Sequence, residues 1–166
     1  MVKPKSGDSK NFDWVPGQSS FLSEIGSLHL EFVYLSFASD DLKYAEKVCQ
    51  IRKHLDRMDK PFDALYYATV NPETGRWGAH LLTLGAFGDS FYEYLIKSWI
   101  QSNRTDSEAR RMFDAAVDAI EKHMIRKSRS GLLLTLLLNI ILNIRYIICA
   151  QVSYICLNER TVPLVM

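Results

Sequence analysis

The stretch Gly85-Ala-Phe-Gly-Asp-Ser-Phe-Tyr-Glu-Tyr-Leu-Ile-Lys97 decides the fold. Its small and polar start, followed by aromatic and aliphatic residues, predicts a helix that opens at Gly88-Asp89-Ser90 and runs to about Gln101. At that helix N-terminus, free backbone N–H groups would stabilise the carboxylate of Asp89. A fixed carboxylate can orient and deprotonate water as a general base, but capping of the helix explains the same residue.

Three other segments carry apolar residues at helical spacing, and they predict helices over residues 21–37, 40–58 and 106–126. Ser19 and Ser20 would cap the first of them, and Asp106 would open the last.

A turn-rich segment separates the first pair of helices from the second. Residues 65–70 and 76–82 flank Asn71-Pro-Glu-Thr-Gly75, which predicts a β-hairpin. Helix pairs around one hairpin indicate an all-α fold class with short β decorations.

Length and charge restrict the function classes. The chain has 166 residues, which allows one domain or a piece of a larger one. With 20 Lys and Arg against 19 Asp and Glu, it carries no basic surface that would favour nucleic acid. Three cysteines cannot form a disulfide framework or a four-cysteine zinc site. We recognise no targeting signal after Met1.

The composition changes at Gly131, because only Arg145, Glu159 and Arg160 carry charge beyond it. We therefore divide the chain into residues 1–131 and a hydrophobic, helical tail over residues 132–166. Its apolar run, residues 132–144, is shorter than the ~20 residues of a membrane helix. Extending the run places Arg145 near its middle, at a cost of ~2.5–3.5 kcal/mol. Membrane association through residues 132–157 is left open.

Several other residues are candidates for a functional site or a modification. Phe91-Tyr92-Glu93-Tyr94 alternates rings with a carboxylate, as a sugar-binding wall does, although core positions for Phe91 and Tyr94 are the more common explanation. Glu24 and Glu31 lie seven positions apart, on one face of the first predicted helix. Acids on such an apolar face are costly unless they are paired or line a polar cavity. Asn103-Arg-Thr105 is a glycosylation sequon, which matters only if the chain enters the secretory lumen.

Five segments together resemble, in order and spacing, the class I α-1,2-mannosidases of glycoside hydrolase family 47. They are residues 23–32, 44–47, 65–78, 85–97 and 120–128. The resemblance spans roughly residues 6–131 and implies an (α/α)7 barrel, of which this chain would hold an incomplete part. It also implies hydrolysis of terminal α-1,2-linked mannose from high-mannose N-glycans with inversion, and a bound calcium ion.

The resemblance assigns roles to individual residues. Asp89 corresponds to the candidate general base, and Glu31 to an acid lining the mannose pocket, with Glu24 a weaker candidate. Glu93 belongs to the same substrate-binding group. Phe87 stands where endoplasmic-reticulum-type members tend to carry Arg and Golgi-type members an apolar residue. We therefore expect a Golgi protein more than one of the endoplasmic reticulum.

The family pattern also places functional groups outside this chain. A further catalytic acid would precede residue 1, and another catalytic Glu and the calcium-binding Thr would follow Gly131. We therefore expect no mannose release by residues 1–166 alone. The alternative is a non-catalytic fragment that binds glycans, associates with membranes or regulates the complete enzyme.

Overall fold

The computed structural model describes residues 5–6, 8, 10–11, 13–127 and 133–135. Two compact units divide the chain, residues 1–124 and 125–166. The described part of the first unit contains the helices α1 (Leu22–Gly26), α2 (His29–Ser39), α3 (Lys43–Arg57), α4 (Asp89–Gln101) and α5 (Ser107–His123). Two single 3-10 turns, at Pro16–Gln18 and Pro61–Asp63, accompany them. The fold is therefore helix-rich, as the sequence predicts.

A small antiparallel sheet pairs a strand that precedes α1 in the chain with two strands that follow α3. Its order is β1 (Ser20–Phe21), β2 (Thr69–Asn71) and β3 (Arg76–Trp77), with Val70 opposite both Ser20 and Trp77. The predicted hairpin is confirmed as β2–β3. Asn71 shapes the turn, because its Oδ1 accepts the N–H groups of Glu73 and Thr74 at 2.9 and 3.0 Å.

The prediction of one helix over residues 21–37 is wrong. The chain forms α1 and α2 instead, and it leaves helical geometry at Ser27. Gly26 lies against α4 so closely that a Cβ there would overlap the ring of Phe91. Glycine and serine are weak helix formers, so this contact ends α1 at little cost. As a result, Glu24 and Glu31 do not share a helix face.

The predicted capping role of Ser19 and Ser20 is also wrong. Ser20 pairs with Val70 in the sheet, and its hydroxyl donates to Asn11 Oδ1 at 3.2 Å. Phe21 is the residue before α1, and it makes no capping hydrogen bond. Strand pairing with residues far along the chain has replaced a local helix cap.

The core lies between the helices, where α4 packs on α5 and on α1. Its largest fully buried apolar side chains are Leu22, Leu55, Leu65, Tyr66, Phe91, Leu95, Met112 and Ile120. Asp106 opens α5 as predicted, since its Oδ1 accepts the N–H of Ala109 at 3.0 Å. The helix ends at His123 rather than at the predicted residue 126.

A cluster of charged groups is built into this core. The Arg52 guanidinium is buried, and its Nη2 lies 2.7 Å from Asp106 Oδ2 and 3.4 Å from Glu108 Oε2. Its Nη1 lies 3.3 Å from His29 Nε2, and His29 is 8% exposed. Burial, and then the positive charge of Arg52, lower the pKa of His29 to about 4. His29 is thus a neutral core residue.

The second unit contains the antiparallel pair β4 (Ile125–Lys127) and β5 (Leu133–Thr135). The prediction of a helical tail is therefore wrong for residues 133–135. The rest of the predicted tail, including most of residues 132–157, lies outside the described residues. Among the described helices, none has both the length and the apolar character needed to cross a membrane.

Candidate active site

The loop that leads into α4 is fixed by its own backbone. The carbonyl of Gly85 accepts the N–H groups of Gly88 and Asp89 at 2.9 and 3.1 Å. A Cβ on Gly88 would lie 2.5 Å from the Thr83 carbonyl oxygen, a distance that real Cβ atoms do not adopt. Gly88 is therefore required by a close approach of the chain to itself, and it sets the start of the helix at Asp89.

Asp89 is exposed at the first position of α4. Its Oδ1 accepts the Ser90 N–H at 2.8 Å and the Ser90 hydroxyl at 3.3 Å. Gly88 is the residue before the helix, so Asp89 is not its N-cap. Its Oδ2 has no hydrogen bond to any described residue, which leaves one oxygen held in place and the other open to a water molecule.

Glu31 and Tyr94 join the first turn of α2 to the helix that begins at Asp89. The Tyr94 hydroxyl donates to Glu31 Oε1 at 2.6 Å. Burial, and then the bond to Glu31, raise the pKa of Tyr94 to about 12, so the phenol stays protonated and remains a donor. Gln101 Nε2 adds a second link by donating to the Leu30 carbonyl at 3.0 Å. Glu31 is therefore held against α4 although it is exposed.

Glu93 lies one helical turn after Asp89 and shares its face of α4. It forms an ion pair with Lys97, whose Nζ also lies 5.8 Å from the centre of the Tyr94 ring. Because Lys97 pairs with its carboxylate, Glu93 is not a free acid that could act beside Asp89. It remains available as a hydrogen-bond acceptor beside Asp89.

An aromatic wall precedes Asp89 in the chain. Phe87 stacks on Phe21 with ring centres 4.4 Å apart and planes inclined by 13°, and Phe21 contacts Trp14 at 5.3 Å. Phe87 is 40% exposed and Trp14 is 65% exposed, so the wall faces solvent. Sequence reasoning identified Phe87 but missed Phe21 and Trp14, because nothing local shows that residues so far apart will stack.

Glu24 is exposed on α1, and its carboxylate has no hydrogen bond to any described residue. Its neighbour Ser23 ties α1 to the loop before Asp89. The Ser23 N–H donates to the Phe87 carbonyl at 3.0 Å, and its hydroxyl donates to the Ala86 carbonyl at 2.9 Å. Glu24 therefore lies on the short helix that holds this loop in place. Because Glu31 lies on the next helix, the two acids do not share a helix face as predicted.

The core explanation of the aromatic segment is confirmed for Phe91, while its role as a sugar-binding wall stays a prediction. Phe91 and Tyr92 are buried in the core, and the Tyr92 hydroxyl accepts the Tyr66 N–H at 3.2 Å. Tyr94 is only half-buried and binds Glu31. Helical rotation thus separates the buried rings of Phe91 and Tyr92 from the ring of Tyr94, which faces Glu31.

The described residues do not supply a metal centre. Among them, no group of three or more His, Cys, Asp or Glu side chains could hold a metal ion.

Comparisons with known proteins place this chain in a family. The sequence model described as Glycosyl hydrolase family 47 matches residues 1–145. Mannosyl-oligosaccharide 1,2-alpha-mannosidase IB of Homo sapiens is 53% identical over 132 residues, which are 80% of this chain and 20% of that protein. Mannosyl-oligosaccharide alpha-1,2-mannosidase IA of Drosophila melanogaster is 51% identical over the same shares. The chain thus spans about a fifth of the length of these relatives.

A solved structure supports the fold. The alpha-1,2-mannosidase from Trichoderma reesei matches with a TM-score of 0.65 and 23% identity, over 74% of this chain and 26% of that one. The family resemblance found in the sequence is confirmed, while the roles of the single site residues and the domain boundary at residue 131 stay predictions. By its match to the family model over residues 1–145, this chain belongs to glycosyl hydrolase family 47.

Proposed function

We propose that this chain is part of an enzyme that hydrolyses terminal α-1,2-linked mannose from high-mannose N-glycans with inversion. The relatives at about 50% identity carry the name of that activity, which supports the proposal. The observation that carries it is the geometry of Asp89. One carboxylate oxygen is held by Ser90, and the other is open to solvent at the end of a fixed loop.

In the proposed reaction, Asp89 is the general base. Its free Oδ2 takes a proton from a water molecule while the water oxygen bonds to the anomeric carbon of mannose. The bond to the leaving oxygen breaks on the opposite face, and that oxygen receives a proton from an acid outside residues 1–166. The bond from Ser90 keeps Asp89 aligned, because a carboxylate that rotated freely would present its lone pair to the water less often.

The other candidate residues would bind the sugar. Glu31, oriented by Tyr94, and Glu93, oriented by Lys97, would accept hydrogen bonds from mannose hydroxyls, and Glu24 would do so more weakly. Phe87 and the aromatic wall would pack against the apolar face of a sugar ring. The apolar residue at position 87 favours the Golgi subclass over that of the endoplasmic reticulum.

The remaining proposals concern the complete enzyme. We propose that its domain is an (α/α)7 barrel, with a calcium ion held by groups outside the described residues. Large apolar side chains exposed on and after α2, such as Phe37 at 71% and Leu42 at 72%, would then face neighbouring helices of the barrel. Association with a Golgi membrane through residues 132–157 remains a proposal as well.

A chimeric enzyme tests the function directly. In mannosidase IB of Homo sapiens, the segment aligned to residues 6–131 is replaced by the sequence of this chain. We expect the chimera to release mannose from a high-mannose N-glycan, with the β anomer formed first in a proton NMR time course because the reaction inverts. A folded chimera that releases none, or that forms the α anomer first, would contradict the proposal.

A single substitution then tests the role of Asp89. We expect Asp89→Asn to lower kcat of the chimera by roughly 10²–10⁴, the usual contribution of a general base. Asp118→Asn is the matched control, since Asp118 is an exposed carboxylate on α5 with no described partner. Equal activity of the two variants would exclude Asp89 as the base.

A further inference from the structure

The turn between α4 and α5 contains a feature that the proposed catalysis does not use. Residues Asn103-Arg-Thr105 are the only Asn-x-Ser/Thr sequence in the chain in which the middle residue is not proline. All three residues are exposed. A sequon on an exposed turn is the usual acceptor for N-linked glycosylation in proteins of the secretory lumen.

Backbone hydrogen bonds of Asn103 and Arg104 end α4 at this turn, and the Asn103 side chain takes no part in them. Asn103 and Arg104 have left-handed φ angles of 52° and 66°. The Arg104 N–H donates to the Trp99 carbonyl at 2.8 Å, and the Asn103 N–H donates to the Ile100 carbonyl at 2.9 Å. This pattern terminates a helix without help from the side chain of the left-handed residue. A sugar on the Asn103 amide would therefore break no bond that holds the turn.

The other described asparagines behave differently. Asn71 donates to the Gly17 carbonyl at 3.1 Å, and Asn11 donates to the Gln18 carbonyl at 2.5 Å. Both also accept hydrogen bonds through Oδ1. Among the described asparagine side chains, only that of Asn103 has no hydrogen bond to a described residue, and it is the one within a sequon.

We propose that Asn103 carries an N-linked oligosaccharide. In the transfer, Asn103 Nδ2 bonds to the anomeric carbon of a lipid-diphosphate-linked oligosaccharide and loses one proton. The bond from that carbon to the diphosphate oxygen breaks, and its electron pair leaves with the lipid diphosphate. The inference rests on the proposed function only for the compartment, because transfer needs the secretory lumen.

The position keeps the glycan away from the candidate site. Asp89 begins α4, and Asn103 lies two positions after its last residue, Gln101. A helix of 13 residues is about 20 Å long at 1.5 Å per residue. An oligosaccharide at Asn103 therefore starts at the opposite end of the helix and leaves the open oxygen of Asp89 accessible.

A competing explanation is structural. After glycine, asparagine is the residue most often found in the left-handed position that ends a helix, so Asn103 could serve that purpose alone. Thr105 also has a local role, because its hydroxyl donates to the Ser102 carbonyl at 2.7 Å. The variants below separate the two explanations.

The test uses residues 1–166 expressed in a eukaryotic cell behind a cleavable signal peptide, with a reporter sequon in an added C-terminal linker. Only molecules with a glycosylated reporter are analysed, so every one of them has entered the lumen. We expect peptide mass spectrometry after amidase digestion to find the Asn103 side chain converted to a carboxylic acid. An unmodified Asn103 in these molecules would overturn the inference whatever becomes of the mannosidase proposal.

Three variants complete the test. Asn103→Gly keeps a residue suited to the left-handed angle and should abolish modification without unfolding the turn. Thr105→Ser should retain modification, while Thr105→Ala should lose it. Modification at residue 103 that persists in Thr105→Ala would contradict transfer through the sequon. Failure of the chimeric enzyme to release mannose would leave these results unchanged, so the two proposals fail separately.

Discussion

Two helices of this chain begin with the same dipeptide, Asp89-Ser90 at α4 and Asp106-Ser107 at α5, yet the two carboxylates have opposite fates. Asp106 uses both oxygens, one on the Ala109 N–H at 3.0 Å and the other on Arg52 at 2.7 Å. Asp89 uses only one oxygen, on Ser90, and the other faces solvent. The dipeptide is the same, so the difference comes from its surroundings, which are Gly88 beside Asp89 and Arg52 beside Asp106.

The comparison teaches how a structural carboxylate differs from one available for chemistry. Arg52 reaches Asp106 from α3, and this ion pair holds the half-buried Asp106 at the edge of the core. No described cation reaches Asp89, and the close contact of Gly88 with Thr83 moves Asp89 one position into its helix. A carboxylate without a full set of partners at a rigid position is unused by the fold and can serve a substrate.

Removing Arg52 should give the largest effect on stability. Arg52→Met would leave Asp106 and Glu108 without their cation in a largely buried site, which costs about 3–5 kcal/mol of unfolding free energy. Urea unfolding measures it. Arg110→Ala is the control, because its ion pair with Asp114 is exposed and contributes at most about 1 kcal/mol. Similar losses of unfolding free energy in the two variants would mean that the buried cluster stabilises the fold no more than an exposed ion pair does.

Acid should weaken the buried cluster through His29. In the unfolded chain His29 binds a proton near its usual pKa of 6.5, but in the folded chain it resists protonation down to about 4. Unfolding therefore takes up a proton in this window, and stability falls as the pH decreases from 6.5 to 4, by at most about 3 kcal/mol. Asp106 opposes the shift in part, since its negative charge favours the protonated imidazole.

Melting curves of the chain and of His29→Gln over this pH range test the prediction. The difference between their stabilities isolates His29 from the carboxylates that titrate in the same range. We expect the loss on acidification to be smaller in the variant. Identical slopes would show that His29 does not contribute.

Replacing each aspartate by asparagine compares the two helix starts directly. Asp106→Asn keeps a good N-cap but removes the charge that pairs with Arg52, so we expect a loss of about 2 kcal/mol. Asp89→Asn should change stability by less than about 0.5 kcal/mol because its carboxylate is exposed. Urea unfolding of the two variants measures both changes in the free energy of unfolding. The reverse order would invalidate the division into a structural and a free carboxylate.

The smallest effect is expected at the bond that holds Glu31. Tyr94→Phe removes the hydroxyl 2.6 Å from Glu31 and keeps the ring, at a cost of about 1 kcal/mol. In the chimera we expect a higher KM for the glycan, since Glu31 would lose its fixed orientation. Tyr34→Phe serves as the control, because Tyr34 lies on α2, the helix that carries Glu31, and its side chain is 64% exposed. An unchanged KM in Tyr94→Phe would separate Glu31 from substrate binding.

Local patterns in the sequence predicted the elements that depend on local physics. The start of α4 and the cap at Asp106 follow from residue types at helix ends, and the β2–β3 hairpin follows from Asn71 and Gly75. The family resemblance also came from the sequence, because several ordered segments matched at once.

The errors around α1 come from contacts between distant parts of the chain. The break between α1 and α2 depends on Gly26 meeting the Phe91 ring, and Ser20 is in a strand because Val70 lies opposite. Hydrophobic periodicity contains no information on such partners, so it predicted one long helix and missed the stacked wall of Trp14, Phe21 and Phe87.

The double use of Asp106 also has a consequence for the order of folding. The Ala109 amide is protected by a carboxylate that is itself held by Arg52, and Arg52 lies 56 positions before its other partner, Glu108. The start of α5 therefore gains its full protection only after the chain has closed a long loop, at an entropic cost that must be met first. Hydrogen exchange at Ala109 would thus report on the docking of α3 as much as on its own helix.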